Sequence, residues 1–228
     1  DSLSQSTYEA LLKVTSQLGY PHLLRAWNYI EGVNIGQGDS ERYKQFCLGR
    51  HNAFQSHSQH KGDASYPAAS AVGHHANTLT AYILAAKQPG THFENPEQVS
   101  AYRYPRQYGP KSPSFARATL NPNRDSVYIS GTASIKGHET LHPNDTQAQL
   151  SVTFDNISQL LEHVGQGSGL AKTPEITSVK VYIRHPEELE AVRSRVSEQY
   201  PSANILYVQG DICRSDLNVE IDGTCYLK

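Results

Sequence analysis

The sequence predicts an α/β (α+β) protein with about one and a half copies of one unit, a mixed sheet covered on one face by two helices. Three observations lead to this. In the second half, segments of strand and helix periodicity follow the order strand, helix, strand, helix, strand, strand. The first half repeats the later part of that order. The composition, 37% hydrophobic and 18% charged, is that of an ordinary globular chain and excludes a disordered one.

The second half is the clearer. Arg124 to Ile135 (RDSVYISGTASI) reads as a strand with a glycine-containing bend. Asp145-Thr146 offers an N-cap to a helix in which Leu150, Phe154, Ile157, Leu161 and Val164 fall on one face, with Gly165, Gly167 and Gly169 expected to end it. Val179, Val181 and Ile183 alternate as a strand, and a second helix starts at Pro186 with Leu189, Val192, Val196 and Tyr200 on one side. Two strands follow, about Ile205–Val208 and Leu217–Ile221.

In the first half, Tyr8, Leu11, Val14 and Leu18 mark a helix ending near Gly19, and Leu24–Ile30 takes the place of Val179–Ile183. Asp39-Ser40 is expected to cap a helix carrying Tyr43, Phe46, Cys47 and Arg50, and Ala68–Val72 and Thr78–Ala85 mirror the final two strands. The RDSVYISGTASI strand has no counterpart here. The halves divide at residues 1–100 and 101–228, and a segment rich in Pro, Gly, Tyr and Arg, about 88–115, joins them. The chain contains no methionine, which predicts that residue 1 is internal to a longer polypeptide whose upstream part completes the first half.

A net charge of −2 gives no basic excess for nucleic acid or a membrane surface, and no apolar run approaches the roughly 20 residues that span a bilayer. Three widely spaced cysteines do not form a disulfide framework, which predicts a reducing, cytoplasmic setting.

Four features bear on chemistry. In GDICRSDLNVEIDGTCYL (210–227), Leu217, Val219 and Ile221 alternate with Asn218, Glu220 and Asp222, so Glu220 is either a solvated strand residue or a carboxylate aimed at a cleft. Cys213 lies seven positions earlier; it serves packing, or it shares a site with Glu220 if Arg214-Ser215-Asp216 turns. The loop AYRYPRQYGPKSPSFARATL (101–120) concentrates Arg103, Arg106, Lys111 and Arg117 with Tyr104 and Tyr108, which suits a small dianion and equally describes a solvated basic linker. Eleven histidines, among them His57, His60, His74 and His75, lack metal-ligand spacing and read as surface residues, and no nucleotide loop or nucleophile elbow is present, so neither metal nor cofactor is expected.

Residues 112–228 resemble the YjgF/RidA family through SPSFARAT, VYISGTASI, TFDNISQLLE, ITSVKVYI and CRSDLNVEID in that order. RAWNYI, ERYKQFCLGRHNAF and AYRYPRQYGPKSPSFARATL narrow the likeness to the chorismatases, which join a degenerate YjgF-like domain to a complete one. The resemblance implies cofactor-free release of pyruvate from chorismate. It makes Glu220 the acid and, through Cys213, favours the branch that forms 3-hydroxybenzoate, with or without the 4-hydroxy isomer. It implies substrate contacts from Tyr104, Arg117 and Ala133, and from Arg50 of the first half. Arg106, Tyr108 and Arg214 complete the candidate set. Three alternatives remain: hydrolysis to a dihydrodiol, imine hydrolysis of the RidA type (whose carboxylate-binding arginine is missing from PSANILYV), and non-catalytic binding of a small ligand. The assembly is expected to be a monomer or trimer-like.

Overall fold

A helix that packs closely on a neighbour needs small residues at the crossing, and the first two helices show this. The structure, a computed structural model, describes residues 1–57 and 62–227. Helix α1 (Ser2–Gln17) begins at Asp1, whose side chain accepts the Ser2 N–H. Its buried stripe runs through Ser4, Tyr8 and Leu12, whereas Val14 and Leu18, expected on it, are exposed. Ser4 fixes that stripe because it lies against Gly49 of α2 (Arg42–Ser56), the two helices being separated by strand β1 (His22–Glu31). Helix α2 starts later than its sequence suggests. Gly38–Ser40 forms a short 3-10 turn, Glu41 takes the N-cap position, and Asp39 is drawn away into an ion pair with Arg106.

Strands β2 (Ala68–His74) and β3 (Leu79–Ala86) complete a three-stranded sheet in the order β2-β1-β3, with β1 parallel to β2 and antiparallel to β3. Next come β4 (Thr91–Phe93), β5 (Ala118–Leu120), β6 (Ser126–Thr132) and a small hairpin, β7 (Ile135–Lys136) and β8 (Glu139–Thr140). Helix α3 (Thr146–Ser168), β9 (Ser178–Ile183), α4 (Leu189–Gln199), β10 (Asn204–Gln209) and β11 (Val219–Tyr226) close the chain. The second sheet has the order β10-β9-β11-β6-β5-β4. Its β10-β9-β11 portion repeats β2-β1-β3 in both order and direction. Strand β11 pairs on its other side with β6, while among the described residues no strand pairs with the outer edge of β3. The predicted linker contributes β4 to the second sheet, so the sheets divide before Thr91 rather than at residue 100.

Asp145 caps α3 as expected, accepting the Ala148 N–H at 3.0 Å. Gly165 and Gly167 lie inside the helix, where their missing side chains admit Thr173–Pro174 and Phe93; Gly169, with φ 66°, is the residue that ends it. Pro186 opens a 3-10 turn that leads into α4. The final strand begins at Val219 rather than Leu217 and runs on to Tyr226.

Both helix pairs cover the outer faces of their sheets, α1 and α2 over β1 and β3, α3 and α4 over the second sheet. The inner faces meet. Val72, Ala133, Ile135, Tyr182, Ile212 and Leu217 form a small apolar cluster there. Around it the contacts are polar: the Ala68 and Ala69 N–H groups donate to Thr119 Oγ1 (2.9 Å) and Ser130 Oγ (2.8 Å). Among the described residues no helix is long and apolar enough to cross a membrane.

A methyl group at Gly49 overlaps the Asp1 carbonyl and the Ser4 hydroxyl. Gly49→Ala is therefore expected to destabilise the fold by about 1–3 kcal/mol, read as a lower midpoint of urea unfolding by circular dichroism.

Candidate active site

Between the two halves lies a cavity of about 300 Å³, lined by α2, β2, the 104–117 loop, the start of the β6–β7 segment and the loop before β11. Glu220 reaches it from β11. Its alternation with Val219 and Ile221 holds, but the polar side of the strand faces the other sheet, so Glu220 is buried at 4% exposure. The carboxyl lies over Gly131 of β6, where any side chain would overlap Oε1, and Oε1 has no hydrogen-bond partner. Burial pushes the Glu220 carboxyl up to about 8; the Asp222 charge adds to this, and Arg25 and Arg117 pull it back.

Ser215 and Asp216 do turn, closed by a 3.2 Å hydrogen bond from the Leu217 N–H to the Arg214 carbonyl, and this brings Cys213 to the cavity with Glu220. Burial, reinforced by Glu220, pushes the Cys213 thiol up to about 12, so it is a neutral thiol rather than a nucleophilic thiolate.

Cations dominate the wall. Arg117, buried ahead of β5, donates from Nη2 to the Tyr104 hydroxyl at 2.8 Å and the Val99 carbonyl at 3.1 Å, and its Nε is unpartnered. Arg50 of α2 gives Nη1 to the Ser114 carbonyl at 2.5 Å while Nε and Nη2 have no partner, and its guanidinium lies over the rings of Tyr8 and Phe54. Arg214 spans the rings of Tyr108 and Tyr104, 4.1 and 5.4 Å from their centroids, and donates to Thr140 Oγ1 from Nη1, leaving Nη2 free. Together with Lys44, four cations face two carboxylates besides Glu220, namely Glu41 and Asp216. Two positive charges stay uncompensated when Glu220 carries its proton. Tyr104 and Ala133 line the same space; the Ala133 carbonyl is fixed by Asn156 of α3 at 3.0 Å. Tyr108 lines it too, its hydroxyl 3.2 Å from His138 Nδ1.

Thus Glu220, Cys213, Tyr104, Arg117, Ala133, Arg50, Tyr108 and Arg214 converge on one cavity. Arg106 does not. It points to solvent at the surface and is held by Asp39 through two hydrogen bonds of 2.8 and 2.5 Å. Sequence reasoning missed Gly131, Ser70, Ser114, Lys44, Tyr43 and Cys47 in the lining, and Arg25 and Asp222 behind it. Asp222 carried a signal, since it shares the polar face of the strand with Glu220. Of the histidines singled out, His57 meets Ser16, His74 bonds the Thr78 carbonyl and His75 is exposed; His60 lies outside the described residues. Among the described residues no three potential metal ligands cluster.

Residues 1–85 match the family model described as Chorismatase FkbO/Hyg5-like, N-terminal. A 3-hydroxybenzoate synthase of Streptomyces hygroscopicus is 38% identical over 96% of this chain and 68% of its own length. A chorismatase of Streptomyces rapamycinicus is 37% identical with the same two coverages. The crystal structure of a chorismatase at 1.08 Å superimposes with a TM-score of 0.90 at 36% identity, over 98% of this chain and 70% of that one. The likeness runs through both halves and across the cleft between them, and the chain belongs to the chorismatase family.

Proposed function

We propose that this chain releases pyruvate from chorismate and forms 3-hydroxybenzoate, with Glu220 as the proton donor. The observation that carries this reading is the coexistence, in one cavity, of a buried unpartnered carboxyl oxygen and buried unpartnered N–H groups on Arg50, Arg117 and Arg214. Chorismate is a dianion with one carboxylate on the ring and one on the enolpyruvyl side chain. Such a ligand supplies the acceptors that these guanidiniums lack, and its two charges match the local excess.

The chemistry is acid–base. Glu220 gives its proton to the terminal methylene carbon of the enol ether, whose π pair becomes the new C–H bond and leaves an oxocarbenium ion. The conjugate carboxylate then faces that cation and stabilises it. The vicinal ring hydroxyl attacks the carbon bearing the ether oxygen. The C–O bond breaks, its electron pair completes the pyruvate carbonyl, and the hydroxyl proton returns to Glu220. The resulting epoxide is an isomer of hydroxybenzoate and opens to it with a proton shift. A neutral Cys213 beside Glu220 excludes water from the cation, and water attack there is the competing hydrolysis. The 3-hydroxybenzoate synthase relative, at 38% identity, supports the aromatic outcome over hydrolysis.

Incubation with chorismate, with an assay for pyruvate and chromatography of the ring product, tests this directly. Equal amounts of pyruvate and 3-hydroxybenzoate are expected. A dihydrodiol would assign hydrolysis instead, and an unchanged substrate would leave a binding protein. Glu220→Gln is expected to slow pyruvate release by about 10²–10⁴-fold while chorismate still binds, as isothermal calorimetry reads. With the acid titrating at about 8, kcat/KM of the parent holds below that pH and falls as pH rises through it. Gly131→Ala thrusts a methyl into the Glu220 carboxyl; a displacement of this kind costs on the order of 10²-fold, expected in kcat rather than KM.

A further inference from the structure

Two carboxyls sit two residues apart on β11, Glu220 and Asp222, and so point to the same face of the strand. Both are buried, at 4% and 3% exposure. Their surroundings differ completely. Asp222 Oδ2 receives the Ser70 hydroxyl at 2.8 Å, the Tyr182 hydroxyl at 2.9 Å and the Arg25 guanidinium at 3.1 Å. Glu220 Oε1 receives nothing. Arg25, fully buried, also donates to Ser70 Oγ at 2.5 Å and to the Ala26 carbonyl at 2.8 Å, so ion pair and hydroxyl are locked into one unit.

On the mechanism proposed above, we propose that Asp222 is a positioning residue that acts through its charge: anchored beside the acid by Arg25, Ser70 and Tyr182, it keeps the proton on Glu220 between turnovers. Two neighbouring buried carboxyls do not both ionise readily, and the one furnished with donors and a counter-ion takes the charge. The other keeps its proton and becomes the acid. The same repulsion returns the proton to Glu220 after each cycle, because the ring hydroxyl sheds it next to two adjoining carboxylates.

The other charged and titratable groups around Glu220 come from every packed element. Arg25 of β1 and Arg117 ahead of β5 favour its ionised form. Tyr43 of α2 and Cys213 of the loop before β11 face it and are pushed up by burial, hence neutral. Arg214 shares the cavity, and Tyr182 and Lys180 of β9 face Asp222. Asp222 is the largest charged influence among them.

The test is the pH dependence of kcat/KM for pyruvate release in Asp222→Asn and Arg25→Met. Asp222→Asn is expected to move the alkaline limb down by about one pH unit or more, read against the variant's own acid plateau. Arg25→Met, which removes a cation while Ser70 and Tyr182 go on donating to Asp222, moves the limb up. A merely structural pair would lower kcat in both variants with the limb fixed, and that result overturns the proposal. Should either variant fail to fold, carbon-13 NMR of the carboxyl groups in the parent and in Glu220→Gln decides. The Asp222 resonance is expected to show an inflection in the pH range where Glu220 titrates, absent from Glu220→Gln; its absence from the parent sinks the idea. The NMR titration needs no substrate, so it stands even if chorismate is not consumed. If chorismate is consumed while limb and resonance stay put, the Asp222 role alone falls.

Discussion

Two sheets that meet face to face normally exclude water with apolar side chains interdigitated across the gap. Here the inner faces are joined largely by polar groups: Arg25 and Ser70 of one sheet on Asp222 of the other, and backbone N–H groups of β2 on Thr119 and Ser130. Everything functional hangs from that contact. Because the sheets approach with polar faces inward, the alternate residues of β11 that would ordinarily meet solvent are sealed from it. Glu220 becomes a buried carboxyl by the same packing that pairs Asp222 with Arg25.

The cavity extends this logic to its rim. Guanidiniums can rest on aromatic rings instead of carboxylate partners, and rings of Tyr8, Phe54, Tyr104 and Tyr108 fill that role for Arg50 and Arg214. Their N–H groups stay available. A conventional buried salt bridge at each arginine would have occupied those donors.

Much of this was legible in the sequence, and the limits have physical causes. Element order and the internal repeat followed from periodicity, and the repeat is reproduced down to strand direction. Stops read from single residues fared worse. Gly165 and Gly167 serve close packing against other parts of the chain, which a local pattern does not contain. Asp39 looked like a helix cap and Arg106 like a ligand contact; each misreading has the same source, because the two residues bond each other across 67 positions. For Glu220, alternation gave the correct face and left open what that face meets. The answer depends on Arg25 and Ser70, far away in the chain, and on a glycine at 131 whose importance lies in the side chain it lacks.

The cysteines carry a practical consequence. Burial pushes the thiols of Cys47, Cys213 and Cys225 each up to about 12, and alkylating reagents attack the thiolate. Cys47 and Cys225 are also buried, so near neutral pH the folded molecule is slow to label at these two positions, whereas Cys213 is half-buried on the cavity wall. Modification of Cys47 or Cys225 by a maleimide or iodoacetamide marks molecules whose core has opened, which makes labelling at these two thiols a built-in gauge of unfolding.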